Sequence, residues 1–265
     1  MYNRSVLDVL IDASRGFYFR GKGRLLERLG PQAGIKTCKV FGLTCTLDLV
    51  DTIQRQIYFG TFEPHETKLI RFYLRPGMTF VDVGANVGYF TALATKLVGR
   101  SGRVIAFEPS PYAFERLQQM VELNRLENVR PIQAGLSNQA DRLKLYLGRG
   151  SRNHTPTMVP HENATAIEVP VETLDSIMEN MGVDRIDFMK IDVEGHEPRV
   201  LEGARRLLRE KRIRAILCEF NARWLNMAGS SEEKLLSLIT GSGLVEVDHH
   251  SNNSALENRL FLLPQ

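Results

Sequence analysis

A carboxylate and two glycines stand where the first strongly apolar strand of the sequence ends. The segment Asp82–Gly88 reads DVGANVG and lies between the predicted strand TFVDVG and the predicted helix GYFTALATKLV. Gly84 lets the chain turn sharply and brings its backbone close to a ligand, and Gly88 lets the helix begin near the sheet. The same turn contributes three more predicted ligand-binding residues: Ala85, Asn86 and Tyr89.

An acidic residue also closes the next predicted strand, VIAFE. Glu108 stands 20 residues after Gly88, and a carboxylate at this location can accept hydrogen bonds from both hydroxyls of a ribose. Pro109 and Ser110 then turn the chain beside the predicted position of an adenine ring. Ser137, which follows the third strand, is a further candidate for contact with that ring.

The charges of these groups distinguish between two nucleotide-like ligands. The spacing DxGxNxG differs from the GxGxxG of dinucleotide-binding proteins and places Asp82 two positions before the first glycine. A carboxylate there opposes a pyrophosphate but suits a ligand that carries an ammonium group and no phosphate. The methionine part of S-adenosylmethionine is such a group. The sequence therefore predicts S-adenosylmethionine as the cofactor, with Glu63 folding over its amino group from a preceding loop.

Three residues that could carry a methyl transfer follow the fourth predicted strand, IDFMKI. The donor is already activated, so the protein chiefly supplies alignment and removal of the acceptor proton. We assign Asp192 to a position beneath the transferred methyl group, where it holds the donor or the acceptor hydroxyl. His196 is predicted to take the proton, because an unperturbed imidazole has a pKa of about 6.5. Glu194 completes the predicted catalytic set.

Other polar and aromatic residues are predicted to contact the acceptor: Asn153 and His154 in a polar loop, and Glu219 and Trp224 at and after the fifth strand. Asp192, Glu194 and Glu219 could alternatively bind Mg²⁺ with water, because hard cations favour oxygen ligands. Octahedral geometry cannot be deduced from sequence spacing. We therefore assign no metal ligand and do not expect Mg²⁺ to be required.

The elements that must position these residues alternate between strands and helices from Met78 onward. This alternation is typical of right-handed βαβ units and a doubly wound, mostly parallel sheet. Residues 141–171 interrupt it with two predicted strands around a polar loop, a substrate-side insertion. The last two segments, LVEVDHH and LENRLFLLPQ, predict an antiparallel hairpin at one edge of the sheet.

Two domains of unequal size are predicted: an N-terminal extension at 1–62 and a cofactor-binding domain at 63–265. The first 30 residues predict one or two short amphipathic helices that stop at Gly30-Pro31. Alternation between Lys36 and Tyr58 predicts two or three strands, the third of them in TIQRQIYF. His65–Leu74 then has the spacing of a helix.

Composition excludes several classes of protein. Among 265 residues, 43% are hydrophobic and 25% are charged, as in an ordinary globular protein. The net charge of +3 arises in the first 30 residues, so we expect no nucleic-acid partner. No segment approaches the roughly 20 apolar residues that span a bilayer, and three cysteines cannot all pair. These features predict a cytoplasmic protein without an integral membrane segment, whose partner is a small-molecule or glycan acceptor; a homodimer is left open.

Taken together, these motifs resemble the FkbM family of S-adenosylmethionine-dependent methyltransferases. The resemblance extends from about Tyr58 to Phe220 through GTFEP, DVGANVGYF, FEPSP, KIDVEGHE and CEF. It implies a Rossmann-like class I methyltransferase fold: an α/β seven-stranded, mostly parallel sheet with one antiparallel edge strand and helices on both faces. It also implies O-methylation of a hydroxyl on a sugar, glycolipid or secondary metabolite. Residues 1–35 lie outside the resemblance.

Three other functions remain to be compared with this one. A nucleic-acid or protein methyltransferase shares the chemistry, although KIDVEGHE lacks the proline-aromatic cluster that stacks a flipped base. An NAD-dependent dehydrogenase shares the sheet and the acid after the second strand, but requires GxGxxG. A non-catalytic donor-binding or scaffold protein, attached to a membrane surface by the basic N-terminal helices, would not need the carboxylates of residues 192–197.

Overall fold

The computed structural model describes residues 11, 21–148, 156–162, 164–250 and 256–264. The strands are β1 Ile35–Val40, β2 Leu43–Asp48, β3 Thr79–Val83, β4 Arg103–Phe107, β5 Val129–Ile132, β6 Gly135–Leu136, β7 Asp141–Gly148, β8 Ala164–Glu172, β9 Phe188–Ile191, β10 Ala215–Asn221, β11 Val245–His250 and β12 Leu256–Leu262. The helices, numbered within these ranges, are α1 Lys22–Leu29, α2 Thr52–Phe59, α3 Pro64–Tyr73, α4 Tyr89–Val98, α5 Pro111–Leu123, α6 Leu174–Asn180, α7 Glu197–Glu202, α8 Arg205–Arg209, α9 Ala222–Met227 and α10 Glu232–Thr240.

A seven-stranded sheet forms the centre of the part of the chain that the structure describes. Its strand order is β11-β12-β10-β9-β3-β4-β5, and β3, β4, β5, β9 and β10 are parallel. β12 runs antiparallel to β10, and β11 pairs antiparallel with β12 at the edge. The predicted α/β sheet and its terminal hairpin are therefore confirmed. The chain reverses its winding direction between β3 and β9, which is where open α/β sheets bind ligands.

Successive side chains of the central strands pack on opposite faces of the sheet. Val81 and Val83 of β3 pack with helices α6, α7, α8 and α10 on one face of the sheet. Phe80 of β3 and Phe188 of β9 pack with α3 and α4 on the other face. Because successive residues of a strand point to opposite faces, Asp82 lies on the same face as Phe80. Its register partner in β9 is Lys190, on the same face as Phe188.

The N-terminal elements pack against the cofactor-binding domain rather than standing apart from it. β1 and β2 form an antiparallel hairpin, and their buried side chains share a hydrophobic cluster with α2 and with Leu117 and Met120 of α5. Helix α1 ends before Gly30, as predicted. Most of the residues that precede α1 in the sequence lie outside the described ranges.

One predicted strand in this region is wrong. TIQRQIYF forms helix α2, because the Asp51 carboxylate accepts a hydrogen bond from the Gln54 N–H, and Gly60 ends the helix at φ 67°. Ile53 and Ile57, four residues apart, then lie on one face of the helix. The capping residues Asp51 and Gly60 outweigh the preference of isoleucine and aromatic residues for strands.

The middle insertion contributes two strands to a small three-stranded sheet. β7 and β8 pair antiparallel, and β6 joins β8 in parallel. The two predicted strands are thus confirmed, whereas the predicted acceptor-binding residues Asn153 and His154 lie outside the described residues. Thr157, after the loop, donates a hydrogen bond to the Glu194 backbone carbonyl at 2.7 Å. The insertion therefore contacts the segment after β9.

None of the described helices combines the length and the apolar character needed to cross a bilayer.

Candidate functional site

A cavity of about 220 Å³ lies over the carboxyl ends of β3, β4, β9 and β10. Because these strands are parallel, the residues that follow each of them lie at the same edge of the sheet, and residues that are distant in sequence meet there. Eleven residues that were predicted from sequence line the cavity: Glu63, Gly84, Ala85, Asn86, Tyr89, Glu108, Pro109, Asp192, Glu194, His196 and Glu219.

Five other predicted residues lie outside the cavity lining. They are Asp82, Gly88, Ser110, Ser137 and Trp224. Asp82 is buried and accepts a 2.6 Å hydrogen bond from the Thr91 hydroxyl of α4. Gly88, at φ 90°, begins α4 close to Leu117 of α5. The Trp224 ring contacts His161, with centroids 5.5 Å apart.

The turn after β3 is shaped by Gly84. Its φ is +84°, and a Cβ built there would lie 1.9 Å from the backbone oxygen of Asp192. The N–H groups of Gly84 and Ala85 both donate to the Phe107 carbonyl, at 3.0 and 2.9 Å. A glycine is required because any side chain would collide with backbone at the end of β9. The turn thus holds the ends of β3, β4 and β9 together beside the cavity.

Glu108 is held by two backbone donors. Asn86 N–H donates to Oε2 at 2.7 Å and Ser110 N–H donates to Oε1 at 2.8 Å. Burial raises the pKa of Glu108 from 4.5 to about 7, although both hydrogen bonds oppose the rise. Each carboxylate oxygen can accept more than one hydrogen bond. The side chain is therefore fixed in place and still able to accept hydroxyl groups from a ligand in the cavity.

Lys190 is a cavity-lining residue that the sequence analysis missed. It is buried, its Nζ donates to Asp192 Oδ2 at 2.7 Å, and the ammonium lies 4.7 Å from the centre of the Phe90 ring. Burial alone would lower the pKa of Lys190, but the carboxylates of Asp192, Glu63 and Asp82 raise it above its ordinary value. A charged residue inside the apolar strand FMKI was the available clue.

Glu63 lies at the start of α3 with a left-handed backbone, φ 35° and ψ 63°. Its Oε2 lies 3.9 Å from Lys190 Nζ and has no hydrogen-bond partner. Burial raises the pKa of Glu63 to about 8, and Lys190 opposes the rise. Glu63 therefore places a carboxyl group in the lining of the cavity, beside Lys190.

Asp192, Glu194 and Glu219 bring three carboxylates together. One oxygen of each lies within 4.8 Å of one oxygen of each of the others. Glu219 lies two residues before the end of β10 and is buried, and its Oε2 has no hydrogen-bond partner. Burial, and then the charges of Asp192 and Glu194, raise the pKa of Glu219 well above its ordinary value. Three acidic groups thus meet in this part of the cavity, and burial disfavours the ionised form of Glu219.

His196 sits at the start of α7, and its ring is close to Ser137. Nε2 and the Ser137 hydroxyl are 3.2 Å apart. Burial and the nearby charge of Arg199 lower the pKa of His196 to about 4. The imidazole is therefore neutral near pH 7, so it has a free lone pair but is a weak base.

Apolar residues complete the cavity, and the sequence analysis did not identify them. Ile53 and Ile57 come from α2, Phe62 from the following turn, and Leu145 and Met158 from the insertion. Phe107 and Leu136 add to the same wall. An amphipathic α2 would have revealed the first two, had it not been predicted as a strand.

The lining fits S-adenosylmethionine better than a dinucleotide. The cavity combines a fixed carboxylate on β4, an apolar wall, and a carboxylate-rich end beside Lys190. These groups match ribose hydroxyls, an adenine ring and a cationic amino acid. A pyrophosphate would instead meet the carboxylates of Asp192 and Glu194 near Gly84, which repel it.

A family model described as "Methyltransferase FkbM domain" matches residues 82–250, well over half of the chain. A solved structure with the same description, the FkbM methyltransferase of Methylobacillus flagellatus, superposes with a TM-score of 0.50 at 18% identity. The match covers 80% of this chain and 55% of that one. At such identity, the likeness shows the fold.

Two curated relatives are similar over shorter stretches. The methyltransferase sdnD of Sordaria araneosa is 31% identical over 155 residues, 46% of this chain and 59% of that protein. The hexuronic acid methyltransferase AglP of Haloferax volcanii is 30% identical over 124 residues, 46% of this chain and 48% of that protein. The chain thus spans between about half and three fifths of the length of these relatives.

Proposed function

Because the chain belongs to the FkbM methyltransferase family, we propose that it transfers the methyl group of S-adenosylmethionine to a hydroxyl oxygen of a sugar, glycolipid or other secondary metabolite. S-adenosylmethionine is the cofactor of this family. The observation that carries the proposal is the Gly84 turn, packed against the Asp192 backbone beside the fixed carboxylate of Glu108.

Particular residues are proposed to hold the cofactor. Glu108 accepts the ribose hydroxyls, because its two oxygens are oriented by backbone donors and keep further lone pairs. Apolar residues of the cavity lining, among them Ile57 and Met158, cover the adenine. Glu63 contacts the amino group of the methionine part and Lys190 its carboxylate, because both side chains line the cavity. The Lys190 ammonium attracts a carboxylate, and a bound ammonium group favours the ionised form of Glu63.

The bound cofactor supplies a methyl group on a sulfonium, which is already a good electrophile. The chain then has to align the acceptor oxygen, exclude water and accept a proton. Asp192 is oriented by the 2.7 Å hydrogen bond from Lys190 and accepts a hydrogen bond from the acceptor hydroxyl. The neutral ring of His196 lines the same cavity and offers a lone pair near the reacting oxygen. Leu145, Pro156 and Met158 of the insertion shield the cavity from solvent.

A hydroxylated acceptor is supported by the chemistry of the cavity wall. Carboxylates are strong acceptors for hydroxyl hydrogen bonds, and Asp192, Glu194 and Glu219 present three of them next to the proposed methyl position. The Haloferax relative is a hexuronic acid methyltransferase, and a hexuronic acid belongs to the same class of hydroxylated substrates.

A labelling screen tests this proposal. The purified chain is incubated with methyl-labelled S-adenosylmethionine and sets of hydroxylated metabolites, glycans, a protein mixture and RNA, and products are analysed by mass spectrometry. We expect a gain of one methyl group in a hydroxylated small molecule or glycan. Label found only in protein or RNA would overturn the acceptor assignment while keeping the methyltransferase.

A further inference from the structure

We propose that Asp192, Glu194 and Glu219 form a binding site for a hard divalent cation such as Mg²⁺. Their carboxylate oxygens lie within 4.8 Å of one another at the carboxyl ends of β9 and β10. Three oxygens that are 4.8 Å apart lie about 2.8 Å from their common centre, whereas the bond lengths are about 2.1 Å for Mg²⁺ and about 2.3–2.6 Å for Ca²⁺. Side-chain shifts of at most about 0.7 Å would therefore let all three carboxylates contact one ion.

Glu219 provides an independent indication that a ligand is missing from this cluster. Its side chain is only 5% exposed, it lines the cavity, and its buried Oε2 has no hydrogen-bond partner. An unpartnered buried carboxylate oxygen is costly, and such groups in proteins are usually paired or coordinate a metal. A cation between the three carboxylates supplies the absent partner.

The nearby lysine does not take this role. Lys190 Nζ is directed at Asp192 Oδ2, 2.7 Å away, and its next carboxylate is Glu63 at 3.9 Å. Within the described residues, no cationic side chain lies within 4.0 Å of a Glu219 oxygen. The Lys190 ammonium is therefore not the partner of the buried Glu219 oxygen.

The ligand set selects the class of cation. Three carboxylates without sulfur suit Mg²⁺, Mn²⁺ or Ca²⁺, whereas Zn²⁺ and Cu²⁺ favour imidazole or thiolate ligands. His196, the histidine that lines the cavity, is engaged with the Ser137 hydroxyl. Mg²⁺ also retains several non-protein ligands, so three carboxylates would leave positions open for water or substrate.

A role for the cation rests on the proposed function and extends it to the substrate class. The open positions would bind an acceptor with one hydroxyl, or two neighbouring hydroxyls, and polarise the reacting O–H. The proton passes to the neutral His196 imidazole that lines the cavity and from there to solvent, the oxygen forms a bond to the methyl carbon, and the carbon–sulfur bond breaks with its electron pair on sulfur. The products are the methyl ether, S-adenosylhomocysteine and a proton. This site departs from the sequence-based prediction, which assigned no metal.

Direct cation binding tests the proposal without any substrate. Mn²⁺ is titrated into the chelator-treated full chain, and free Mn²⁺ is measured by electron paramagnetic resonance. We expect one saturable Mn²⁺ per chain that Mg²⁺ displaces, and Glu219→Gln should weaken it at least tenfold. Glu168→Gln is the matched control, because it removes one negative charge from an exposed side chain on β8 and should leave the Mn²⁺ affinity unchanged. No saturable Mn²⁺, or the same affinity in Glu219→Gln, would overturn the proposal.

Thermal unfolding adds a second readout that a purely structural role for Glu219 would not produce. In chelator, Glu219→Gln should raise the Tm, because a charge that Asp192 and Glu194 repel is removed. Mn²⁺ should raise the Tm of the wild type and not that of Glu219→Gln.

A second variant is available if Glu219→Gln does not fold. Glu194→Gln changes a half-exposed residue in the loop after β9 and should show the same loss of Mn²⁺ affinity. Unchanged Mn²⁺ affinity in Glu194→Gln refutes the site.

The two proposals can fail separately. Methyl transfer that persists in excess chelator, with no Mn²⁺ bound, removes the cation site and leaves the methyltransferase. Stoichiometric Mn²⁺ binding in a chain that does not bind S-adenosylhomocysteine supports the site and contradicts the proposed function.

Discussion

Replacing Glu108 by glutamine should change stability in a pH-dependent way. The glutamine side chain has one acceptor oxygen, whereas Glu108 accepts hydrogen bonds from both Asn86 N–H and Ser110 N–H. One buried donor would then face an NH₂ group, which costs about 1–3 kcal/mol. We expect this loss at pH 5, where the wild-type carboxyl is mostly protonated.

At higher pH an opposing effect reduces the loss. The pKa of Glu108 is raised from 4.5 to about 7 in the folded protein, so the folded state binds its proton more tightly than the unfolded state. The wild type therefore loses stability through this group as pH rises from about 4.5 to about 7, by about 3 kcal/mol in total. Glu108→Gln has no such loss, so near pH 8 the two effects should nearly cancel.

Urea unfolding at pH 5, 6, 7 and 8 measures this difference. The other buried carboxyls titrate in both proteins, so their contributions cancel when the two free energies of unfolding are subtracted. The variant should be about 1–3 kcal/mol less stable than the wild type at pH 5 and close to it at pH 8. A difference that does not vary with pH would refute a buried, titrating Glu108. At pH 8 the variant should also bind S-adenosylhomocysteine about 10- to 150-fold more weakly, the equivalent of one lost charge-assisted hydrogen bond.

Three further substitutions test other parts of the site. Gly84→Ala should abolish detectable binding of S-adenosylhomocysteine in calorimetry and lower the Tm, because its Cβ would collide with the Asp192 carbonyl; unchanged affinity would contradict the close turn. Asp192→Asn should lower kcat at least about 100-fold with only a small change in S-adenosylhomocysteine affinity, and undiminished turnover would remove its catalytic assignment. Lys190→Met should cost about 3–5 kcal/mol of folding stability at pH 8 and less at pH 5.5, where Glu63, whose pKa is raised to about 8, is protonated; an equal cost at both pH values would refute the charge network.

The strand–helix alternation made most of the sheet predictable from sequence. DVG and VIAFE end buried strands, so their polar residues had to meet at one edge, and Gly84 and Glu108 do so. Asp82 behaves differently. It lies within β3 rather than after its end, and its carboxylate accepts a hydrogen bond from Thr91 outside the cavity. Its charge acts on the cavity through the neighbouring Lys190.

The other features of the cavity could not be predicted from sequence, because they depend on contacts between distant segments. Lys190 and Asp82 are 108 positions apart in sequence, and only the register of β3 against β9 shows that they are neighbours. The apolar wall of the cavity is formed by the insertion and by α2, and the Asp51 cap makes α2 a helix rather than the predicted strand. The proposed cation site likewise required knowing that Glu219 is buried without a partner.

Isothermal titration calorimetry of the wild-type chain with S-adenosylhomocysteine and, separately, with NAD⁺ distinguishes a methyl-donor site from a dinucleotide site. We expect one S-adenosylhomocysteine bound per chain, weakened by Glu108→Gln, and no measurable heat from NAD⁺. Binding of NAD⁺ without binding of S-adenosylhomocysteine would contradict a methyl-donor site.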